Sequence, residues 1–239
     1  MGRREPDSLR ALPRLFVPGF DPEEGAQELP KEELDKLRKV LRLPTGAIIA
    51  VLPNDGTVVR CRLEGRQAVP LAVETAATEA ALRLTLAQAL PKGDKLDEVI
   101  RMGTELGVAK FVLFPSERTV VRWDARKLDD RLRRLQTIAR EAAEVSFRMR
   151  LPEFGVASGL KEVLDQNPDA WVMSETEGVP RTVAALPREG AVTVVIGPEG
   201  GWAPRELGLI GDRGVTLGPR VLRVDTAGAA TAALLLCDR

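Results

Sequence analysis

A loop with three glycines and a proline follows a strongly apolar run in the segment VTVVIGPEGGWAPREL. The β-branched residues at 192–196 predict a buried strand, of the kind found in parallel sheets. Pro204 suits the first turn of a short helix over residues 205–210. Ligands of open α/β sheets bind where such strands end. The loop at 197–201 is therefore a candidate binding site.

An anion is the first ligand to consider for this loop, because glycines before a helix start leave backbone N–H groups free. The sequence GPEGGW lacks the Lys-Ser/Thr pair of a P-loop and the G-x-G-x-x-G spacing of a dinucleotide fold. Glu199 would repel a phosphate. A tight turn without any ligand remains the alternative for this loop taken alone.

Two further loops follow predicted strands in the same half of the chain. Val215–Gly218 is predicted as a strand that leads into PRVLRVDTAGAA, where Asp225 or Thr226 is predicted to cap the last helix. The segment MSETEG, at 173–178, follows the apolar residues WVM. Since only a short helix separates the loop of three glycines from the strand at Val215–Gly218, we expect these two loops to lie side by side. Loops rich in backbone donors and acceptors suit a largely neutral aromatic ligand such as adenosine.

The composition excludes several kinds of catalysis. The chain has no histidine and no tyrosine, which removes Ser-His-Asp and Cys-His catalysis and a tyrosine general acid. Cys61 and Cys237 lie far apart, so neither a disulfide framework nor a cysteine zinc cluster is predicted. We therefore expect no metal. We also expect no membrane segment, because apolar runs fall short of about 18 residues. No secretory leader is recognisable, which predicts a cytoplasmic protein.

Charge is balanced over the whole chain but not locally. The 35 basic and 35 acidic residues cancel, whereas residues 117–150 hold ten Lys/Arg against six Asp/Glu. A solvated helix face and a phosphate-binding surface are both compatible with this excess. The candidates for phosphate contacts are Arg118, Arg148 and Arg150, with Arg126, Arg133 and Arg140 as weaker candidates. Arg122 also flanks the predicted long helix and adds to the local positive charge.

Two patterns of elements would position these residues. Residues 1–77 contain short β-like runs and one helix, KEELDKLRKVLRL, which predict a small β-barrel or sandwich. From residue 78 to residue 239, strands alternate with helices, which predicts an α/β domain with a parallel sheet. The long helix predicted at 125–148 has an apolar stripe that must face the core. We therefore expect two domains.

Several segments resemble the RsmE type of bacterial 16S ribosomal RNA uridine-N3 methyltransferases, within the SPOUT superfamily. The resemblance is carried by the following segments: IGPEGGW with LGPRVLRVDTA, KLDEVIRMGTELGVAKFVLFPSERTV, REAAEVSFRMRLPEF, and RLFVP with VLRL near the N-terminus. It implies a PUA-like β-barrel at 1–77 for RNA and a SPOUT α/β knot at 78–239 that binds S-adenosyl-L-methionine. It also implies a homodimer that methylates N3 of one uridine in the 16S RNA of the small ribosomal subunit.

The loops and the resemblance together predict a set of site residues. The predicted cofactor contacts are Met173, Ser174, Glu175, Ile196, Gly197, Pro198, Glu199, Gly200, Gly201, Leu217, Gly218, Arg220, Val221, Leu222, Thr226 and Ala227. The predicted catalytic residues are Glu199, Arg220 and Arg223, and the predicted RNA contacts are Arg14, Lys39, Arg42, Arg118, Arg148 and Arg150. As alternatives, Glu199 is a turn residue and both arginines pair with Asp225. Trp202 is interpreted as a core residue rather than a stacking platform.

Methylation at N3 requires that the uridine be unpaired and lose its N3 proton. With histidine and tyrosine absent, the base is a carboxylate or solvent, and a nearby arginine would stabilise the uracil anion. The chain departs from the family pattern at Val145, Phe147, Asp225 and Lys36. The departures at Val145 and Phe147 keep open a SPOUT methyltransferase for another RNA position. An RNA-binding protein without activity is the other alternative, and the intact glycine loops argue against it.

Overall fold

The structure is a computed structural model that describes residues 8–120, 125–175 and 181–237. The chain forms two compact units. The first comprises Met1–Glu79 and Ala143–Leu151, and the second comprises Ala80–Ala142 and Pro152–Arg239. The prediction has one domain boundary, after residue 77, whereas the chain passes from one unit to the other three times.

The first unit contains a five-stranded sheet in the order β1-β3-β4-β5-β2. Its elements are β1 (Arg14–Phe16), β2 (Gln27–Glu28), α1 (Lys31–Asp35), β3 (Ile48–Leu52), β4 (Thr57–Glu64) and β5 (Gln67–Thr75). β1 runs parallel to β3, and the other neighbours are antiparallel. The predicted N-terminal helix is shorter than expected, since α1 passes into a π-helical turn at Lys36–Val40.

The second unit contains a six-stranded sheet in the order β11-β9-β10-β6-β7-β8. Its strands are β6 (Arg83–Ala89), β7 (Lys110–Phe114), β8 (Glu153–Val156), β9 (Trp171–Met173), β10 (Ala191–Ile196) and β11 (Gly214–Val215). The helices that complete the chain are α2 (Lys95–Glu105), α3 (Ala125–Ser146), α4 (Leu160–Gln166), α5 (Pro204–Ile210) and α6 (Val224–Leu236). Every pair of neighbouring strands is parallel, which confirms the predicted α/β class.

The parallel sheet is buried on both faces. Leu84 and Leu86 pack into a core with residues of α2, α3 and α6, while Ala87 and Ala89 pack into a second core with residues of α4 and α5. Successive side chains of a strand point to opposite faces, so β6 needs apolar residues on both faces and supplies them with Leu84, Leu86, Ala87 and Ala89. Among the residues that the structure describes, no helix is both long and apolar enough to cross a membrane.

Candidate functional site

Three loops meet at one edge of the six-stranded sheet, because β9, β10 and β11 are parallel and end at the same side. The loop after β10 carries the glycines, and β9 lies between β10 and β11. The prediction that the loops after β10 and β11 are direct neighbours is therefore wrong. The order of strands follows from long-range pairing, which the length of the connecting helix does not determine.

Hydrogen bonds join the ends of these three strands. The indole Nε1 of Trp202 donates to the carbonyl oxygen of Met173 at 2.8 Å, which links the loop after β10 to the end of β9. The backbone N–H of Ser174 donates to the carbonyl oxygen of Val215 at 3.0 Å, which links β9 to β11. Trp202 is only 7% exposed and stacks against Phe114, so its interpretation as a core residue is confirmed.

The glycines of these loops are required by backbone geometry and by space. Gly201 has a φ of +66° and Gly218 a φ of +112°, which residues with side chains rarely adopt. A Cβ at Gly197 would lie 3.0 Å from the ring of Trp202. The Gly218 turn is further fixed by Thr216, whose Oγ1 accepts from the N–H of Gly218 at 3.1 Å. The two loop conformations are therefore specified by the sequence.

The predicted cofactor contacts lie on these three loops and on the first turns of α6. Ser174, Ile196 and Ala227 are buried, whereas Val221 is 74% exposed. The predicted capping of α6 by Asp225 or Thr226 is wrong, because the helix begins at Val224 and its N-cap is Arg223, which makes no side-chain cap. Asp225 lies in the first turn instead, where a carboxylate favours the positive end of the helix dipole.

Glu199 is held by two neighbours on the chain segment that follows β6. Its Oε1 accepts from Lys95 Nζ at 2.6 Å and from the backbone N–H of Lys92 at 3.1 Å. Partial burial raises the pKa of Glu199, but the bonds from Lys95 and from backbone amides outweigh it, so the pKa lies below its ordinary value. A carboxylate held in its ionised form is a weak base.

The two arginines of the third loop differ in their partners. Arg223 donates from Nε and Nη2 to the two carboxylate oxygens of Asp225, both at 3.2 Å. Partial burial raises the pKa of Asp225, but hydrogen bonds from Arg223 and from backbone amides lower it to a net value below the ordinary one. Arg220 is exposed, and within the described part of the chain it forms neither a hydrogen bond nor an ion pair. Arg220 is therefore the arginine available to a ligand.

Sequence reasoning missed two contacts that join the loop after β7 to the loop after β10. Glu206 is 3% exposed and accepts from the backbone N–H groups of Glu117 and Ala203, each at 3.0 Å. Arg118 donates from Nη1 to the carbonyl oxygen of Gly200 at 2.7 Å. Glu206 stands three residues after the N-cap of α5, where a glutamate commonly bonds to the N-cap backbone. This position indicated the bond to Ala203, but nothing in the sequence indicated the bond to Glu117.

Arg148 does not have the exposed position that a phosphate contact needs. Its side chain is 4% exposed, and its guanidinium donates to Glu79 Oε2 at 2.8 Å. The prediction that Arg148 binds RNA is therefore corrected, since a buried and paired guanidinium does not reach a phosphate. A buried guanidinium requires a carboxylate partner, and the count of charges along the chain did not identify Glu79 as that partner.

Arg14 is also engaged within the first unit. Its Nη1 donates to the carbonyl oxygen of Glu144 at 3.2 Å, and its guanidinium lies 4.6 Å from the ring centre of Phe147. Burial lowers the pKa of Arg14, and the neighbouring Arg10 adds to this effect. Phe147, one of the departures from the family pattern, has a φ of +61°, and Lys36, another, pairs with Glu144. Two departures from the family pattern thus lie around one cluster.

The remaining predicted RNA contacts are exposed. Lys39 bonds to Asp35 at 2.9 Å with 73% of its side chain exposed, Arg42 is exposed, and Arg150 donates to the carbonyl oxygen of Asp55. Val145, at another departure from the family pattern, is 81% exposed. Arg122 and the side chain of Arg126 lie outside the described residues. Within the described ranges, no group of three His, Cys, Asp or Glu residues is placed to hold a metal ion.

Comparisons with known proteins identify the family of the chain. Residues 78–236 match the family model of the RNA methyltransferase domain. The ribosomal RNA small subunit methyltransferase E of Bacillus subtilis is 33% identical over 214 residues, covering 82% of this chain and 84% of that protein. The protein of the same name from Synechocystis is 33% identical over 229 residues, covering 90% of this chain and 74% of that protein.

A solved structure shows the same relationship. The crystal structure of a ribosomal RNA small subunit methyltransferase E from Neisseria gonorrhoeae, bound to S-adenosyl methionine, matches with a TM-score of 0.82 and 30% identity. The match covers 93% of this chain and 95% of the other. The resemblance carried by the sequence motifs is confirmed, and the chain belongs to the family of ribosomal RNA small subunit methyltransferase E.

Proposed function

We propose that this protein transfers a methyl group from S-adenosyl-L-methionine to N3 of a uridine in the 16S RNA of the small ribosomal subunit. One observation supports this proposal most directly. In this chain, which belongs to the family, the glycine loops after β10 and β11 both lie at the carboxyl edge of the parallel sheet. Such edges are where α/β folds bind their ligands. A ribosomal substrate implies a cytoplasmic location.

The residues at this edge fit the proposed cofactor. Glycine turns at Gly201 and Gly218 leave backbone groups accessible, and Leu217 and Leu222 offer apolar surface beside them. We assign the adenosine to main-chain groups of the three loops, from Met173, Ile196 and Leu217 onward. When bound, S-adenosyl-L-methionine supplies an electrophilic methyl group. The residues of the three loops would orient the bound cofactor toward the acceptor nitrogen, and positioning of this kind supplies much of the catalysis.

The proposed catalytic residues have different roles. Glu199 is tied to Lys95 and has a lowered pKa, which favours a role in holding the glycine loop over a role as general base. Arg220 is exposed and unpaired among the described residues, so it is suited to stabilise the uracil anion formed when N3 loses its proton. Arg223 orders the start of α6 through Asp225. The N3 proton then passes to solvent.

The proposal includes the architecture that the family resemblance implies. We assign RNA binding to a PUA-like barrel in the N-terminal domain and cofactor binding to a trefoil-knotted SPOUT domain. The five-stranded sheet of the first unit and the parallel sheet of the second support this division. The remaining exposed cations Lys39, Arg42 and Arg150 are the proposed phosphate contacts of the N-terminal part.

We also expect a homodimer, because the family resemblance implies one and because α6 is rich in small residues. A stable dimer should bury well over about 1,000 Å² in total. Light scattering at micromolar concentration should give twice the mass of 26.0 kDa. The mass of a monomer at that concentration would contradict the expectation.

Two experiments test the proposed reaction. Calorimetry with S-adenosyl-L-methionine and the purified protein should show binding. Methylation of isolated small subunits and of free 16S RNA, followed by mass spectrometry of nucleosides, should yield 3-methyluridine in one of the two substrates. Methylation of another base would show that the enzyme modifies a different RNA position. Cofactor binding without any methylation would support an RNA-binding protein instead.

A further inference from the structure

The loop that follows β7 is attached to the glycine loop that follows β10, although these strands are not neighbours. β6 lies between them in the sheet. Two successive residues make the attachment, since Glu117 donates its N–H to Glu206 and Arg118 donates its guanidinium to Gly200. We call this pair of contacts, formed by Glu206 and Arg118, the loop clasp. The clasp spans the end of β6.

Glu206 is fixed at both of its carboxylate oxygens. Oε1 accepts from the N–H of Glu117 and Oε2 from the N–H of Ala203, each at 3.0 Å, in a side chain that is 3% exposed. Hydrogen bonds to an ionised group are stronger than those between neutral groups. A buried carboxylate that loses one such donor leaves an unsatisfied polar group, which is costly. Glu206 therefore holds the loop after β7 and the start of α5 in one arrangement.

Arg118 is exposed, yet its guanidinium is directed at the glycine loop. Nη1 lies 2.7 Å from the carbonyl oxygen of Gly200. A Cβ at Gly200 would lie 3.4 Å from the Cβ of Arg118, so the arginine stem runs along the glycine backbone. A phosphate bound by Arg118 would compete with this carbonyl for the guanidinium. The contact favours attachment of the loop over a free phosphate-binding side chain.

We propose that Glu206 and Arg118 are positioning residues that hold the glycine loop in its cofactor-binding conformation. The inference rests on the proposed function, because it concerns the same loop. Glycine-containing loops have many accessible conformations, and a loop that is ordered before binding loses less entropy on binding. The clasp restricts the loop at Gly200 and at the entry to α5. Cofactor affinity should therefore depend on side chains that touch the loop and not the cofactor.

Calorimetry with S-adenosyl-L-methionine on the full chain tests this, in the absence of RNA. Arg118→Ala should raise the Kd by about fivefold, the effect of losing one hydrogen bond of about 1 kcal/mol. Arg118→Lys keeps a donor and should restore part of the affinity. Arg205→Ala is the matched control, because Arg205 is an exposed cation on α5 without a hydrogen bond or ion pair to the residues described. Its Kd should equal that of the wild type.

Glu206→Gln provides a second arm. The amide has only one acceptor oxygen, so one of the two N–H groups faces an NH₂ and the Kd should rise by about tenfold or more. Thermal unfolding shows whether this variant is folded. If it is not, the exposed Arg118 variants decide the question. In turnover assays, Arg118→Ala should raise the KM for the cofactor and leave kcat unchanged.

The outcomes separate the clasp from the function on which it rests. A wild-type Kd in Arg118→Ala, together with a weaker salt dependence of RNA binding, would assign Arg118 to phosphate recognition and overturn the clasp. Equal losses in Arg118→Ala and Arg205→Ala would overturn it as well, since the cause would then be general charge. Absence of cofactor binding in the wild type would overturn the proposed function itself.

Discussion

At the scale of single residues, burial decides what a charged side chain does. Arg148 is 4% exposed and pairs with Glu79, whose side chain is 26% exposed. Removing one partner of a largely buried pair leaves the other charge uncompensated. Arg148→Ala should therefore lower the free energy of unfolding by about 2 to 3 kcal/mol, measured by urea denaturation. Arg150→Ala, in the same segment but exposed, is the control and should cost less than about 1 kcal/mol. Equal costs in the two variants would contradict this assignment.

The ion pair of Glu199 gives a prediction about pH. Because its pKa is lowered in the folded protein, its contribution to stability is complete above the ordinary value of 4.5 and is lost as the pH falls through the folded value. Glu199→Gln should reduce the free energy of unfolding by about 0.5 to 1 kcal/mol at pH 7. The difference from the wild type should shrink at about pH 3. A difference that is constant with pH would show that the ion pair with Lys95 is not its origin.

Some residue roles followed from the sequence and others required the folded chain. Trp202 was predicted as a core residue because large aromatic side chains carry much apolar surface. The partner of Glu199 could not be predicted, since Lys95 is distant in sequence and exposed lysines are common. Phe147 is a different case. Its φ of +61° is rare for a bulky residue and had no signal in the sequence, and its side chain packs in the core and against Arg14.

At the scale of elements, alanine substitutions at two glycines are expected to change the stability of the protein in opposite directions. Gly218 has a φ of +112° and open space around its Cβ position, so Gly218→Ala introduces backbone strain without a clash. It should cost about 1 to 3 kcal/mol in unfolding free energy and weaken cofactor binding. Gly208, inside α5, also has open space and no positive φ. Gly208→Ala should stabilise the protein by about 0.5 to 1 kcal/mol and leave the cofactor Kd unchanged. Urea denaturation and calorimetry measure both, and stabilisation by Gly218→Ala would contradict the assigned backbone conformation.

Elements with a strong local pattern were predictable. The β-branched run of β10 lies within a residue of its predicted position. Short elements were predictable only where a marker residue stands at one end, as Pro204 does for α5, and β8 and α4 were missed. Segments of that length have too few residues to establish a period. The strand order was also not predictable, since β9 is inserted between β10 and β11 by pairings far apart in sequence.

At the scale of the whole molecule, the chain crosses between its two units more often than composition indicates. Residues 143–151 belong to the first unit, where Phe147 and Met149 join a core with Leu12 and Phe16. From the sequence, this segment is predicted as the end of a helix in the α/β domain. Nothing in its local pattern indicates that its apolar residues pack against the first unit's sheet. The pattern of strands and helices therefore predicted the two kinds of architecture, but it did not predict that residues 143–151 belong to the first unit.

RNA affinity is the last property that depends on the whole molecule, since a chain of 35 basic and 35 acidic residues binds phosphates only where cations are free. Arg42 is exposed, follows the π-helical turn and has no ion pair with a described residue, whereas Arg148 is buried. Cations that hold phosphates release counterions, so log affinity falls with log salt. Arg42→Ala should lower that slope by about 0.7 to 0.9. Arg148→Met keeps an apolar stem and, in its folded fraction, should retain the wild-type slope. Filter binding of 16S RNA over a range of salt concentrations measures both. A lower slope for Arg148→Met with an unchanged slope for Arg42→Ala would mean that the charge count, and not burial, is the better guide to the RNA surface.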